Sequence, residues 1–335
     1  MSFPINVYVL ALLSAAFCSA ASLPLWRAWC RRTNHVDDPG HRKIHVEPIP
    51  LAGGLAVATG LLVPVVIAAL LLFGASGGLL TGLGLDTESI GALRHGIEKR
   101  ALQLGVILFG AIGMLFLGWW DDRYEMKAAP KFLGQLAIAS LVAAVGVRVT
   151  LFVANPVFGF VVTVLWILTL INALNFMDNM NGLCGGLGLV GAWFLGLSAA
   201  VHGQYLVGAI SMLTVGALAG FLPYNFPKAS VFLGDAGSHL VGYLLAVLAI
   251  LPSFHSSAHP NHLAVLAPLL ILAVPLGDLV CVVIIRYRLG KPFWIGDNNH
   301  LSHRLVRRGL SKPTAVLVIL LLAALAGIAG LSLLR

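Results

Sequence analysis

The segment Pro156 to Val201, PVFGFVVTVLWILTLINALNFMDNMNGLCGGLGLVGAWFLGLSAAV, decides the architecture. Two apolar runs, about 156–174 and 183–201, flank a polar turn that holds Asp178 and the amides Asn175, Asn179 and Asn181. Each run has about the ~20 apolar residues that one helical crossing of a bilayer needs. A backbone in lipid must satisfy its own hydrogen bonds, and the period-2 alternation of a barrel is absent, so both runs read as α-helices. A carboxylate between two such helices calls for a reason, because an ionisable group at membrane depth costs a few kcal/mol or more.

The pattern extends along the chain. Of its 335 residues 59% are hydrophobic and only 10% are charged, against roughly 25% charged in a soluble domain. Ten spans are predicted, at about 3–25, 51–74, 101–119, 131–151, 156–174, 183–201, 205–224, 237–252, 262–285 and 313–334. The expected fold is therefore an all-α integral membrane protein of about ten transmembrane helices joined by loops. It forms one polytopic domain over residues 1–335, with no segment long enough for a separate soluble domain. The first run exceeds a signal-peptide core and lacks a basic leader, so it reads as a retained helix.

Ten crossings put both termini on one side, and the basic residues choose which. With the termini outside, 16 of the 21 Lys and Arg lie on inner segments, at 27–50, 120–131, 228 and 286–312. That is a strong positive-inside bias. The net charge of +8 then belongs mainly to the cytoplasmic face, where it suits anionic substrates or headgroups. Nucleic-acid binding is excluded, because the cations sit in short interhelical loops without a binding motif. Cys18, Cys30, Cys184 and Cys281 are scattered and define neither a disulfide framework nor a zinc site.

The same topology sorts the acids. Asp37, Asp38, Glu47, Asp121, Asp122, Glu125, Asp178, Asp235 and Asp297 fall inside, Asp278 lies in the ninth span, and Asp86, Glu88 and Glu98 face out. The outer segment from about 75 to 100 reads as solvated loop, as do His255, His259 and His262. The inner acids differ, because Asp121 and Asp122 directly follow one span and Asp235 directly precedes another. Acidic sites from several inner loops, held together, would repel unless a cation joined them. Mg²⁺ fits, since it takes carboxylates, waters and substrate phosphate oxygens, and Mn²⁺ fits the same donors. The competing reading is a proton relay, which usually places its acids in mid-helix. On the basic side, Arg42 and Lys43 follow a Pro-Gly turn. Pro48, Pro50 and Gly53-Gly54 then lead into the second span, the glycines permitting close approach or helix packing. In GDNNHLSHRLVRRG, His300 and His303 share one helical face, suited to binding pyrophosphate or donating protons.

Taken in order, five blocks resemble the polyprenyl-phosphate N-acetylhexosamine-1-phosphate transferases of glycosyltransferase family 4. They are DDPGHRKIHVEPIPLAGG, GWWDDRYEMKAAPKFLGQ, NALNFMDNMNGL, FLGDAGS and PLGDLVCVVIIRYRLGKPFWIGDNNHLSHRL, spread over about residues 37 to 304. Single short motifs recur by chance, whereas five in order on one face are specific. The resemblance implies transfer of an N-acetylhexosamine-1-phosphate, GlcNAc-1-phosphate by default, from a UDP-sugar to undecaprenyl or decaprenyl phosphate. UMP is released, and cell-envelope polysaccharide synthesis begins at the cytoplasmic face of a bacterial inner membrane. A homodimer is compatible with it.

Roles follow by position. Asp235 matches the metal-binding acid and Asp178 the acid beside metal and nucleotide; Asp121 matches the residue that positions or deprotonates the lipid phosphate, with Asp122 beside it. Lys43, Lys131, His300, His303 and Arg304 would hold phosphates, while Asn172, Asn175 and Asn181 would contact nucleotide or shape the pocket. Three residues depart from the pattern: Asn179 stands for the usual Gly, Asn181 for the second Asp, and Ser302 for the middle His of H-x-H-H. An amide at 181 hydrogen-bonds but supplies no negative charge. The PIHHHFE signature of the peptidoglycan enzyme is absent. Two other readings use the same residues: a transporter or lipid flippase with the acids as proton pathway, and an inactive family member acting as a scaffold.

Overall fold

Nine of the ten apolar stretches coincide with one helix each, and the stretch at 262–285 with a bent helix pair, in the computed structural model, which describes residues 3–38, 47–74, 77–82, 84–149, 153, 155–252, 262–292, 294 and 297–334. In chain order these are α1 (Ile5–Arg32), β1 (Val36–Asp37), β2 (Ile49–Pro50), α2 (Gly53–Phe73), α3 (Gly77–Gly82), α4 (Thr87–Lys99), α5 (Ala101–Tyr124), α6 (Ala128–Ala144) and α7 (Pro156–Met177). There follow α8 (Leu183–Val201), α9 (Tyr205–Asn225), α10 (Gly234–Ile250), α11 (Ala267–Ile271), α12 (Ala273–Arg288), α13 (Leu301–Arg307) and α14 (Lys312–Ser332). The protein is an all-α, multi-pass membrane protein. One continuous apolar cluster, with the partly buried residues packed on it, draws on α1, α2 and α5 through α14.

The ten stretches differ in kind. Among the described residues seven helices are long and apolar enough to cross, eight if the bent pair α11–α12 is one span. The ninth stretch breaks by 73°. Pro275, in the first turn of α12, has no N–H to continue a helix from Ile271, and its ring excludes that carbonyl. α6 and α10 have 17 residues each, roughly 25 Å at ~1.5 Å per residue, short of a ~30 Å hydrocarbon core. α10 tolerates this because it packs against α2, α5, α7 and α8 and is buried along almost its whole length. Irregular backbone at membrane depth is acceptable where protein rather than lipid surrounds it.

The outer segment is also more ordered than a solvated loop. It holds α3 and α4, and Asp86 caps α4 by accepting from the Ser89 amide at 2.7 Å. Ile90 there packs with Leu72, Leu80 and Leu85. His255 and His259 lie outside the described residues.

Small residues set the depth of α10. A Cβ on Gly118 of α5 would strike the Asp235 backbone carbonyl, and one on Gly54 of α2 would meet the Gly237 amide at 2.5 Å. The Gly53 and Gly54 amides donate to the carbonyls of Phe232 and Leu233, at 2.9 and 3.0 Å, and Phe232 N–H donates to Pro50 at 2.9 Å. The glycine pair of the second stretch is therefore a packing joint. β1 and β2 pair antiparallel, Val36 opposite Pro50, and hold the two described ends of the first inner loop together. Lys43 itself lies outside the described residues.

The joint between α5 and α10 makes a measurable claim. Gly118→Ala is expected to destabilise by about 1–3 kcal/mol through overpacking, read as a lower melting temperature in detergent. Gly105→Ala, in open space on the same helix, is expected to leave it unchanged.

Candidate active site

Four helix ends meet at one end of the bundle, and each delivers polar side chains. The last turn of α5 carries Asp121 and Asp122, the first turn of α6 Lys131, the last turns of α7 Asn172 and Asn175, and the first turn of α10 Asp235. Asp178 is the residue that closes α7. Asp121 and Asp122 are thus helical rather than loop residues.

The order within the cluster is electrostatic. Lys131 Nζ lies between two carboxylates, 2.6 Å from Asp121 Oδ2 and 2.7 Å from Asp235 Oδ2. The other Asp121 oxygen accepts from the Met126 amide at 2.7 Å, because α5 ends in a left-handed residue, Glu125 (φ +47), that folds the chain back. Asn175 Nδ2 donates to Asp235 Oδ1 at 2.6 Å and to Ser238 Oγ at 3.0 Å. One layer deeper, Asn172 donates to Gln135 Oε1 at 2.8 Å, which leaves the Gln135 amide nitrogen, 3.3 Å from His239 Nε2, as the donor of that pair.

Asp122 has a different task. Its two oxygens accept from the backbone amides of Asp235 (2.8 Å) and Ala236 (3.0 Å). Those are N–H groups that an α-helix leaves without an internal partner. Asp122 therefore caps α10 from another helix, a negative charge on a positive helix end. Gly234, at φ +73, is needed there, since a Cβ would lie 2.7 Å from Asp122 Oδ2. The α13 end repeats the device: Asp278 Oδ1 accepts from the Leu301 amide at 2.6 Å, and its Oδ2 receives His300 Nδ1 at 2.6 Å. Since an ionised carboxylate only accepts, that bond fixes the His300 proton on Nδ1. Buried Arg286 braces the same corner, 3.1 Å from Asp297 and 4.9 Å over the Phe176 ring.

Beside the cluster opens a cleft of about 680 Å³. Asp122, Asp178, Asn181, Asp235 and His303 line it; Asp121, Lys131, Asn172, Asn175, His300 and Arg304 do not. Asp178 keeps partial solvent contact, and among the described residues its carboxylate has no hydrogen-bond donor. Burial, with the Asp235 carboxylate nearby, pushes its pKa up to about 8. Burial, then His300, Arg307 and Lys312, holds His303 below the ordinary histidine value, so it meets the cleft as a neutral imidazole at pH 7. Lys228, Lys312, Asn225 and Phe226, which sequence reasoning did not single out, also line the cleft. Three of them fall in the NFPK run at 225–228, directly after a predicted span, and Lys312 lies just before the last one.

The departures have partners. Asn181 Nδ2 donates to the Pro227 carbonyl at 3.3 Å, where a carboxylate would repel. Asn225 ties the neighbouring backbone, accepting from Gly182 N at 2.6 Å and donating to Val231 O at 2.9 Å. The Ser302 hydroxyl donates to Asn179 Oδ1 at 2.6 Å.

Among the described residues no three acidic, His or Cys side chains converge at ligand distance, so the fold builds no all-protein cage. Two carboxylates, Asp178 and Asp235, open on one cleft, and among the described residues the ion pair at either is that of Asp235 with Lys131. That fits Mg²⁺, which uses one or two carboxylates and takes water and phosphate oxygens for the rest.

Comparison with known proteins places these features in company. The family described as Glycosyl transferase family 4 matches residues 104–253. The chain is 30% identical to the probable undecaprenyl-phosphate N-acetylglucosaminyl 1-phosphate transferase of Bacillus subtilis, over 86% of this chain and 74% of that protein. It is 30% identical to the decaprenyl-phosphate N-acetylglucosaminephosphotransferase of Mycobacterium leprae, covering 95% and 81%. With the undecaprenyl-phosphate alpha-N-acetylglucosaminyl 1-phosphate transferase of Escherichia coli K12 it shares 27% identity, covering 89% and 76%.

The capping role of Asp122 is separable from charge. Asp122→Ala is expected to cost about 1–2 kcal/mol, and Asp122→Asn, which keeps one acceptor, less. Thermal melting of both purified variants gives the ranking, and equal melting to the unsubstituted protein would refute the cap.

Proposed function

The chain belongs to glycosyl transferase family 4, and from that premise we propose that it transfers N-acetylglucosamine-1-phosphate from a UDP-sugar to a polyprenyl phosphate, releasing UMP. One observation carries the reading: a cleft whose wall holds the carboxylates of Asp178 and Asp235 and whose rim holds Lys228 and Lys312. A diphosphate needs cations on several sides, and this cleft offers lysines on its rim and carboxylates fit to hold a divalent ion. Asp178 and Asp235 would hold Mg²⁺, or Mn²⁺ through the same oxygens. When bound there, the ion supplies neutralisation of the diphosphate charge during phosphoryl transfer.

The chemistry balances without a protein nucleophile. An oxygen of the lipid phosphate attacks the sugar-proximal phosphorus. A new P–O bond forms as the bond from that phosphorus to the bridging oxygen breaks, and the bridging oxygen leaves with UMP. A phosphate monoester with a second pKa near ~6 is already mostly ionised at neutral pH. Asp121 has one oxygen on Lys131 and the other on the Met126 amide, which suits an electrostatic and positioning role rather than that of a free base. Lys131 keeps Asp121 and Asp235 from repelling each other, and Asn175 orients Asp235. Phe226 offers an aromatic face, and Asn181 an amide, to the uridine. His303, neutral, donates or accepts a hydrogen bond at the phosphates. His300 holds the start of α13, and Arg304 follows His303 on the same helix.

On the sequence-based topology, the inner segments that hold the site residues carry 16 of the 21 Lys and Arg. By the positive-inside bias these segments face the cytoplasm, in a bacterial inner membrane, where UDP-sugars are available. The product would begin a cell-envelope polysaccharide.

Purified protein with UDP-GlcNAc, polyprenyl phosphate and Mg²⁺ is expected to release UMP, and a chelator to stop it. Asp235→Asn should lower turnover about a hundredfold or more. Unchanged Mg²⁺-dependent turnover in that variant would sink the metal assignment, and a panel of other UDP-sugars reads the sugar preference directly.

A further inference from the structure

Two of the three residues that depart from the family pattern touch each other. Ser302 is fully buried on α13, and its hydroxyl donates to Asn179 Oδ1 at 2.6 Å. Asn179 sits in the turn between α7 and α8, and its own amide donates to the Phe176 carbonyl at 2.7 Å, which fixes the orientation of its acceptor oxygen. The residue before Asn179 is Asp178, and the residue after Ser302 is His303; both line the cleft. The hydrogen bond therefore joins the segments that carry two cleft-lining functional groups, one residue away from each.

α13 depends on such ties. It has only seven residues and packs mainly against α14. Its first turn is anchored by Asp278 through Leu301 N and His300. The Ser302–Asn179 bond is the tie from α13 to the α7–α8 turn. Without it, what joins α13 to the end of α7 among the described residues is apolar packing of Leu301 and Leu305 on the core and the ring contact between Phe176 and His300. Apolar packing leaves rotation about a short helix loosely specified, whereas a directional hydrogen bond at 2.6 Å fixes it.

We propose that Asn179 and Ser302 form a positioning latch that sets the separation of Asp178 and His303 across the cleft, and so tunes capture of the UDP-sugar. Ser302 is fully buried, and Asn179, which itself lines the cleft, has both amide atoms engaged, its oxygen by Ser302 and its nitrogen on the Phe176 carbonyl. The latch acts through its neighbours, and its kinetic consequence rests on the transferase reading above. A hydroxyl and an amide that are matched to each other are expected to behave as a unit: removing either loses the bond, and removing the second loses nothing more.

The test uses the full-length protein as Ser302→Ala, Asn179→Ala, the double variant and Ser302→Thr, which keeps the hydroxyl. Hydrogen–deuterium exchange of the α13 amides reports the latch without any substrate. Faster exchange in both single Ala variants, equal in the double and absent in Ser302→Thr, is expected; unchanged α13 exchange overturns the latch. UMP-release kinetics report its role. KM for the UDP-sugar is expected to rise about five- to tenfold in each Ala variant, with kcat within about twofold, no further rise in the double variant, and recovery in Ser302→Thr. Additive effects, or a fall in melting temperature with KM unchanged, overturn the positioning role and leave ordinary packing. If the unsubstituted protein releases no UMP from any UDP-sugar, the transferase reading and the kinetic role fail together, while the exchange data still decide whether the latch exists.

Discussion

A single carboxylate on the exposed amides of a helix organises this end of the molecule. Asp122 reaches from α5 to the backbone N–H groups of Asp235 and Ala236, and by satisfying them it lets α10 begin inside the protein. A helix end buried without such a partner would carry several unsatisfied donors at a cost of about 1–3 kcal/mol each. Because α10 starts there, Asp235 in its first turn stands level with Asp121, Asn175 and Lys131 rather than out in a solvated loop. The glycines at 54, 118 and 234 serve the same constraint, each leaving room for backbone or carboxylate where a side chain would collide.

The cluster that results is unbalanced by design of its charges. Lys131 offsets Asp121 and Asp235, Asp122 is offset by a helix end, and Asp178 faces the cleft with no donor of its own among the described residues. An acid left in that state favours protonation or a cation, and the Asp235 carboxylate nearby strengthens the demand. The histidine corner follows different rules. Asp278 orients His300 and caps α13, while burial and neighbouring cations keep His303 neutral. The two corners thus offer distinct chemistry across one cleft: negative oxygen donors on one side, neutral and cationic hydrogen-bond donors on the other.

Much of this was legible in the residues, because the bilayer imposes a coarse and strong code. Apolar length located all ten helical stretches, and acids at their inner ends pointed to one chemical face. Asp121, Asp178 and Asp235 were singled out by position, and Lys131 and Asn175 through the family resemblance, and they do come together. What failed was finer. Apolar length cannot tell a lipid-facing crossing from a buried short helix such as α10, since both exclude water, and it did not register the break that Pro275 makes. Asp122 read as a partner of Asp121 because adjacency is visible in sequence, whereas a cap on a helix over a hundred residues away is not. Lys228 and Lys312 read as topology signals, since nothing local marks a lysine as facing a cleft. Lys43 lies outside the described residues.

The sequence by itself determined that the chain spans a membrane as helices, which end is basic, and which acids must be brought out of bulk water together. Those are consequences of transfer free energy, additive along the chain and readable one residue at a time. Tertiary structure alone decided which acid caps, which is bridged by lysine and which has no donor among the described residues, and that Asn179, Asn181 and Ser302 each have a partner. Hydrogen bonds and ion pairs fall off within a few ångströms and depend on direction, so they are fixed only when packing has chosen the neighbours.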